Sequence, residues 1–249
     1  MNWHLRFSQQ VRWTRPLRDH LFQSIDLVNS RHILEVGCGT GALLQEIEPL
    51  SQGNIYGLDI DGDFLHQAAA NSHRTILLQG DAHDLPFPDR FFNLALCHFL
   101  LLWVKDPCRA VAEMRRVVRS SGYILALAEP DYGGRMDYPV ELSALGKIQR
   151  ESLESQGANP LIGRKLADIF KQAGLVDVQV GLLGGEWMGD FSADEWELEW
   201  AVFERDLACL PANPERIKDK ELKQLDLKAR QRGVRILYVP TFYGVGRVQ

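Results

Sequence analysis

The chain has 249 residues, of which 45% are hydrophobic and 24% charged, a globular composition with enough apolar side chains for a sizeable core. Its formal net charge of −5 gives no general attraction to phosphate backbones, which argues against a nucleic-acid partner. No apolar run approaches the roughly 20 residues of a membrane span, so we expect a cytoplasmic protein without a membrane partner.

The four cysteines show no pattern of a metal site or a disulfide framework. None stands in a CxxC pair, and no cluster of histidines and cysteines has the spacing of zinc ligands. We therefore expect reduced thiols and no bound metal.

Strand and helix patterns alternate through the first half of the chain. Residues 6–29 have a helical apolar period. Five apolar runs then predict short strands, which cover residues 33–36, 55–58, 75–79, 93–97 and 123–128. Helices are predicted between them, at residues 41–48, 61–71 and 107–118. Strands that are apolar on both faces and alternate with helices are typical of a parallel sheet buried between two helical layers.

The second half of the chain is less regular. Mostly helical patterns cover residues 138–155, 162–173 and 192–232, and the last of these is interrupted by Pro211 and Pro214. Two more strands are predicted, at residues 176–183 and 235–243. Pro240 lies within the second of these strands and indicates an edge or irregular position.

A glycine-rich turn follows the first predicted strand. Residues 35–41 read Glu-Val-Gly-Cys-Gly-Thr-Gly and stand directly between a strand and a helix. Glycines let the backbone turn tightly and let a ligand approach, and the helix that follows offers free N–H groups at its start. Gly37, Gly39 and Ala42 also satisfy the dinucleotide fingerprint, so a nicotinamide-dependent oxidoreductase stays open at this point.

Acidic residues follow the second and third predicted strands. Asp59 lies 22 residues after Gly37, where a carboxylate can accept hydrogen bonds from both hydroxyls of a ribose. Asp81 lies a further 22 residues along, in the segment Gly-Asp-Ala-His-Asp-Leu-Pro-Phe. Simpler roles are open to both: Asp59 or Asp61 could cap the next helix, a part that we assign to Asp61, and Asp81 could shape a turn.

Taken in order, these motifs resemble the class I S-adenosylmethionine (SAM)-dependent methyltransferases, in the broad branch that includes quinone-biosynthesis and small-molecule enzymes. The resemblance covers residues 31–130 and extends to Glu-Met-x-Arg-Val-Val at residues 113–118 and Ser-Gly-Tyr at residues 121–123. It implies an α/β fold with a Rossmann-like seven-stranded, mostly parallel sheet, helices on both faces, an antiparallel last strand and a helical cap. Asn93 stands where the family often has Asp, and we expect that position to be structural.

The resemblance also implies a function and a domain organisation. We expect SAM as the cofactor and an unidentified small molecule as the methyl acceptor, in a monomer or homodimer. No linker separates a second domain, so residues 1–249 would form one methyltransferase domain with a SAM-binding core at residues 31–130. The helices of residues 1–29, 135–160 and 190–232 would sit together over the sheet edge as the cap.

The residues that would hold SAM follow from the same resemblance. The glycine turn would face the methionine part, Asp59 the ribose, and Ile60 the adenine, while Asp81 and the N–H of Ala82 would bind the adenine edge. His98, at the end of the fourth strand, would face the sulfonium. The predicted cofactor-binding residues are Glu35, Gly37, Cys38, Gly39, Gly41, Asp59, Ile60, Asp81, Ala82, His98 and, as a partner of the SAM carboxylate, Arg18.

Three residues at the ends of the fourth and fifth strands are candidate catalytic residues: His98, Glu129 and Tyr132. The last two lie with Asp131 at the carboxyl edge of the sheet, where ligands bind in such folds.

Each candidate also has a structural interpretation. His98 could be a satisfied structural histidine, Asp131 could shape a Pro-Asp turn, and Arg18 could be a solvated surface arginine. Trp187 could wall the acceptor pocket. The acceptor pocket has no diagnostic residue, so a SAM-binding protein without catalytic activity remains the alternative function.

Overall fold

The computed structural model describes residues 2–184, 192–210 and 219–249. Seven strands form one sheet in the order β3-β2-β1-β4-β5-β9-β7. These strands are β1 (His32–Val36), β2 (Asn54–Asp59), β3 (Thr75–Gln79), β4 (Phe92–Cys97), β5 (Val118–Pro130), β7 (Val176–Leu183) and β9 (Thr241–Arg247). β9 runs antiparallel to both β5 and β7, and the other neighbouring pairs are parallel. The predicted seven-stranded, mostly parallel sheet with an antiparallel last strand is confirmed.

Eight α-helices accompany this sheet in the described residues. They are α1 (Trp3–Ser24), α2 (Leu44–Ile47), α3 (Gly62–Asn71), α4 (Pro107–Val117), α5 (Ser143–Ser155), α6 (Leu166–Gln172), α7 (Ala193–Ala208) and α8 (Asp219–Gln231). Asp61 caps α3, as predicted, by accepting hydrogen bonds from the backbone N–H groups of Asp63 and Phe64.

Helices cover both faces of the sheet, and the alternation of side chains along β1 shows how. Ile33 packs in a cluster with residues of α1 and α2, whereas Leu34 and Val36 pack in a second cluster with residues of α4 and α6. Successive side chains of a strand point to opposite faces, so Glu35 shares the α1 face with Ile33. This places a carboxylate beneath α1 at the end of β1.

The strand order reverses at β1, whose neighbours are β2 and β4. In open α/β sheets, ligands bind in the crevice that such a reversal leaves at the carboxyl ends of the strands. Asp59 ends β2 and His98 directly follows β4, so both predicted site residues lie at this edge.

The C-terminal region differs from the prediction of one strand over residues 235–243. The structure divides it into β8 (Ile236–Tyr238) and β9, with Pro240 between them. β8 pairs with β6 (Met136–Tyr138) in a separate two-stranded sheet. The predicted edge or irregular position of Pro240 is confirmed as an irregular one, because the proline falls in the break between β8 and β9, where no ladder hydrogen bond is lost.

A third hydrophobic cluster joins the helices of the second half. Buried Leu145 of α5 packs there with Trp196, Trp200 and Phe203 of α7, and side chains of α8 lie against them. We refer to α5, α7 and α8 as the helical unit. The predicted break at Pro211 and Pro214 lies outside the described residues. No helix within those residues combines the length and the apolar content needed to cross a membrane.

Candidate cofactor and acceptor site

The glycine turn after β1 has a backbone that only glycine adopts without strain. Gly37, Gly39 and Gly41 have φ values of +74°, +52° and +78°, all in the left-handed region. The N–H groups of Gly37 and Cys38 both donate to the carbonyl of Leu58, at 2.7 and 3.0 Å, which ties the turn to β2.

Two side chains from other elements lie directly on this turn. A Cβ built on Gly37 would lie 2.6 Å from Leu100 Cδ1, and one on Gly39 would lie 3.0 Å from Phe7 Cε2. A residue other than glycine would therefore strain the backbone at these positions, and the turn has no space for its side chain.

Two carboxylates flank the turn. Glu35 is 2% exposed, and its Oε2 has no hydrogen-bond partner among the described residues. Burial, and then the nearby charge of Asp59, raise the pKa of Glu35 well above its usual value. Asp59 Oδ2 accepts from the N–H of Gly39 at 2.7 Å, and Oδ1 accepts from the N–H of Asp61 at 3.0 Å. A buried acceptor without a donor fits a ligand that brings N–H or O–H groups to this place.

An exposed acid, Asp81, follows β3. Asp81 Oδ1 accepts from the N–H of His83 at 2.9 Å and lies 2.7 Å from His83 Nδ1. His83 Nε2 accepts from the backbone N–H of Asp106, so Nδ1 carries the proton and donates to Asp81. The hydrogen bonds from His83 lower the pKa of Asp81. Ile60, by contrast, exposes 68% of its apolar side chain beside Asp59.

His98 follows β4 and lies beneath α1. Its Nε2 is 3.0 Å from Thr14 Oγ1. Burial, and then the positive charge of Arg18, lower the pKa of His98 to about 3. The imidazole is therefore neutral at neutral pH and is a weak base there.

Arg18 is buried, so its interpretation as a solvated surface arginine is wrong. It is 1% exposed and donates to the carbonyl of Val11 and to Thr14 Oγ1, and it forms an ion pair with Glu46. Its guanidinium already has a counter-ion within the protein.

Glu129 binds the loop that follows β4. It is fully buried, and its Oε1 accepts from the N–H groups of Leu100 and Leu101 at 3.1 and 2.9 Å, while Oε2 accepts from the N–H of Leu102 at 3.1 Å. Burial outweighs these bonds and raises the pKa of Glu129 to about 8. Both oxygens are engaged by the backbone, so Glu129 holds this loop in place, and the catalytic role suggested by the sequence stays a prediction.

A cavity of about 920 Å³ opens between α1, the ends of β4 and β5, and the helical unit. Tyr132 lines it, together with Thr14, which also contacts His98. Asp131 instead caps a short 3₁₀ turn by accepting from the N–H of Gly133, and it pairs with Arg164, in agreement with its turn interpretation. Trp187, which the sequence suggested for the wall of this pocket, lies outside the described residues. We call the cavity of about 920 Å³ the acceptor cavity.

The structure brings the predicted residues into two groups. The first group is Glu35, the glycine turn and Asp59, at the ends of β1 and β2. The second group lies at the acceptor cavity and includes Tyr132. Sequence patterns did not single out Phe7, Leu100 or Glu46, because nothing local to them indicates a contact across the fold. For His83 a signal existed, since a histidine two residues after an aspartate can bind it within an Asx turn.

Comparisons with known proteins agree with this geometry. Residues 34–126 match the family described as a methyltransferase domain. The chain is 30% identical over 202 residues to the demethylmenaquinone methyltransferase of Geobacillus stearothermophilus, an alignment that covers 72% of this chain and 84% of that enzyme. It is 27% identical over 231 residues to an uncharacterised methyltransferase of Schizosaccharomyces pombe, which covers 88% of this chain and 81% of that protein.

Solved structures share the fold at low sequence identity. The YcgJ protein of Bacillus subtilis superimposes with a TM-score of 0.57 at 18% identity, over 93% of this chain and 99% of that chain. Phosphoethanolamine N-methyltransferase 2 of Haemonchus contortus, in complex with phosphomonomethylethanolamine and S-adenosylhomocysteine, gives 0.60 at 15% identity, over 89% of this chain and 50% of that chain.

The sequence relatives decide between the cofactors that the glycine turn left open. Both of these relatives are methyltransferases, and methyltransferases use SAM in place of a nicotinamide cofactor. The chain therefore belongs to the class I SAM-dependent methyltransferases, and it is an enzyme whose methyl donor is SAM.

Proposed function

We propose that the enzyme methylates a small molecule that binds in the acceptor cavity. The cavity itself carries this proposal, because its volume of about 920 Å³ falls within the roughly 300–1,000 Å³ of small-molecule sites. Its wall includes aromatic side chains from three parts of the fold, Trp13, Phe99 and Trp200. These favour an acceptor with an apolar ring.

SAM would bind at the glycine turn and the two acids that follow it. Because the glycines have no Cβ, the methionine part would approach the backbone beside Gly37, Cys38, Gly39 and Gly41, provided that the Leu100 and Phe7 side chains move aside. The unpaired Oε2 of Glu35 supports a hydrogen bond from the cofactor's amino group. Asp59 would accept from the ribose, provided that it shares or releases the N–H of Gly39.

The adenine would lie at the ends of β2 and β3. The exposed apolar side chain of Ile60 offers a surface for the ring. Within the described part of the chain, His83 engages only Oδ1 of Asp81, and the second oxygen would accept from the adenine amino group. The N–H of Ala82 would face a ring nitrogen.

SAM supplies a methyl group on a positively charged sulfur, so the protein's part is alignment and the exclusion of water. Holding reactants in line accounts for roughly 7–11 kcal/mol of barrier in well-oriented systems. Neutral His98 would face the sulfonium without adding a second positive charge. Glu129 fixes the loop that carries Phe99 to the cavity wall.

Two further predicted residues take different parts. Tyr132 lines the acceptor cavity, so we assign it to contact with the acceptor. Arg18 pairs with Glu46, which supports a part in anchoring α1 over the site rather than in binding the SAM carboxylate. The helical unit and α1 would act as the cap of one domain, and we expect a monomer or homodimer by light scattering.

Acceptor-dependent formation of S-adenosylhomocysteine tests the proposal. The purified enzyme is incubated with SAM and a panel of phenols, quinols, amines and thiols, and the product is measured by mass spectrometry. We expect Tyr132→Phe to change the KM for the acceptor and to leave SAM affinity unchanged, and the exposed Tyr138→Phe to change neither. Turnover that is insensitive to Tyr132, or a complete absence of turnover, would argue against this acceptor site.

A further inference from the structure

One arginine in the wall of the acceptor cavity has no acidic partner among the described residues. Arg6 of α1 donates from Nη1 to Gln9 Oε1 at 2.7 Å, and its guanidinium lies 4.8 Å from the ring centroid of Trp13. Neither contact supplies a negative charge. The remaining N–H groups of this guanidinium have no acceptor within the part of the chain that the structure describes.

The other arginines that line the cavity are all paired. Each forms an ion pair with an acid of the cap region: Arg135 with Asp137, Arg230 with Glu199, and Arg235 with Asp226. Arg6 therefore differs from the other three arginines of the cavity wall, because each of those contacts an acid and Arg6 contacts none among the described residues.

An unpaired guanidinium in this position is energetically unfavourable. Burial lowers the pKa of Arg6, and interactions with Tyr132, Glu199 and Asp206 oppose that change without forming an ion pair. A desolvated cation without a counter-ion is unfavourable, and an anionic ligand would offset the cost. The planar guanidinium matches the two oxygens of a carboxylate in geometry.

We propose that the methyl acceptor carries a carboxylate, which Arg6 binds while the apolar body of the acceptor packs on the aromatic wall of the cavity. This rests on the proposed function and narrows its substrate class. A carboxylate brings one negative charge and would make the pair neutral. A phosphate monoester, with a charge of about −1.5 to −2, would leave charge uncompensated in the cavity.

The carboxylate of SAM is a second possible source of the same chemistry. The acceptor cavity is lined by Arg6, Tyr132 and Phe99, whereas none of the residues of the glycine turn lines it. This separation favours the acceptor, and the variants described next distinguish the two sources.

The test measures binding of matched acid and ester probes to the enzyme saturated with S-adenosylhomocysteine. 4-Hydroxybenzoate and indole-3-acetate are each titrated beside their methyl esters by calorimetry. We expect at least one acid to bind wild type about 10-fold or more tightly than its ester, as for a hydrogen-bonded charge pair. Arg6→Gln should abolish this preference and Arg6→Lys should keep part of it. Arg15→Gln, an exposed arginine of the same helix, should keep all of it.

Affinity for S-adenosylhomocysteine separates this proposal from the function on which it rests. We expect the Kd of that ligand to stay within about twofold of wild type in all three variants, which also shows that they fold. Acids that bind wild type no more tightly than their esters, or with no measurable affinity, would overturn the carboxylate proposal alone. Loss of S-adenosylhomocysteine binding in Arg6→Gln would overturn it as well, by assigning Arg6 to the cofactor. Failure of wild type to bind S-adenosylhomocysteine would instead count against the cofactor site.

Discussion

Gly39 has a φ of +52°, and the ring of Phe7 would lie 3.0 Å from a Cβ at this position. We expect Gly39→Ala to weaken SAM binding by about 10-fold or more, because the left-handed conformation costs a side chain roughly 1–2 kcal/mol and the methyl group displaces Phe7. Calorimetric titration with SAM measures the change.

Gly157 provides the matched control for this variant. Its φ is +83°, but nothing lies within 4 Å of a Cβ built there. Gly157→Ala should lower the free energy of unfolding by roughly 1 kcal/mol and leave the Kd for SAM unchanged. Equal SAM affinity in both variants and wild type would contradict the place that we give to the glycine turn.

His98 makes the free energy of unfolding depend on pH. Its pKa is about 3 in the folded protein and about 6.5 in an unfolded chain. As the pH falls from about 6.5 toward 3, the imidazole binds a proton in the unfolded chain but not in the folded protein. The free energy of unfolding therefore decreases. His98→Gln should remove roughly 2–3 kcal/mol of that decrease by pH 4, measured by urea unfolding. Parallel pH profiles for wild type and variant would show that His98 is not buried in its neutral form.

At the scale of elements, Glu129 joins β5 to the loop after β4. We expect Glu129→Gln to lower kcat by about 10- to 100-fold with little change in SAM affinity, since the amide cannot accept all three N–H groups and a shift of the loop misaligns the acceptor. Comparison of kcat with the acceptor KM and the SAM Kd separates this effect from general destabilisation.

Glu48 is the control for Glu129, because its carboxylate also accepts hydrogen bonds from backbone N–H groups, but at the start of β3 and away from the proposed site. It accepts from the N–H groups of His73 and Arg74, directly before β3 begins. Glu48→Gln should lower stability and leave kcat unchanged. A similar loss of kcat in both variants would mean that Glu129 only stabilises the fold.

Local patterns predicted most elements because their causes are local. The bounds of β3 and β7 agree with the predicted strands, and Asp61 caps α3 as its position indicates. Pro240 indicated an irregular position in the last predicted strand, but the division into β8 and β9 was not predicted, since it depends on pairing between β8 and the distant β6.

The site was predicted only where a motif carries it. Glycines and acids at strand ends have fixed spacing, and Gly37 and Asp59 therefore stood out. The engagement of Glu129 by a loop and of Arg18 by Glu46 arises from contacts between elements about 30 residues apart, which no local period records. Arg6 went unnoticed for the same reason, because its distinction is a missing partner within the described fold.

At the scale of the whole molecule, Asp226 holds the helical unit together. It is 1% exposed, accepts from the indole N–H groups of Trp196 and Trp200, and pairs with Arg230 and Arg235. Burial opposes its ionisation, but the bond from Trp200 and the two arginines hold the pKa of Asp226 below its usual value.

We expect Asp226→Ala to destabilise the protein by about 3–5 kcal/mol, because it leaves two arginines and two indoles without their shared acceptor. Urea unfolding followed by tryptophan fluorescence measures this directly. The control is Glu204→Gln, an exposed partner of Lys223, which should cost about 0–1 kcal/mol. Equal costs would show that the buried network contributes no more than a surface pair.

The most direct test of the account is a calorimetric titration of wild type, Asp59→Ala and Asp63→Ala with SAM, S-adenosylhomocysteine and NADH. Asp63 is an exposed acid four residues further along and has no predicted ligand contact. The account predicts that wild type and Asp63→Ala bind SAM and S-adenosylhomocysteine but not NADH, and that Asp59→Ala loses most of that affinity. Equal SAM affinity in wild type and Asp59→Ala, or binding of NADH alone, would contradict it.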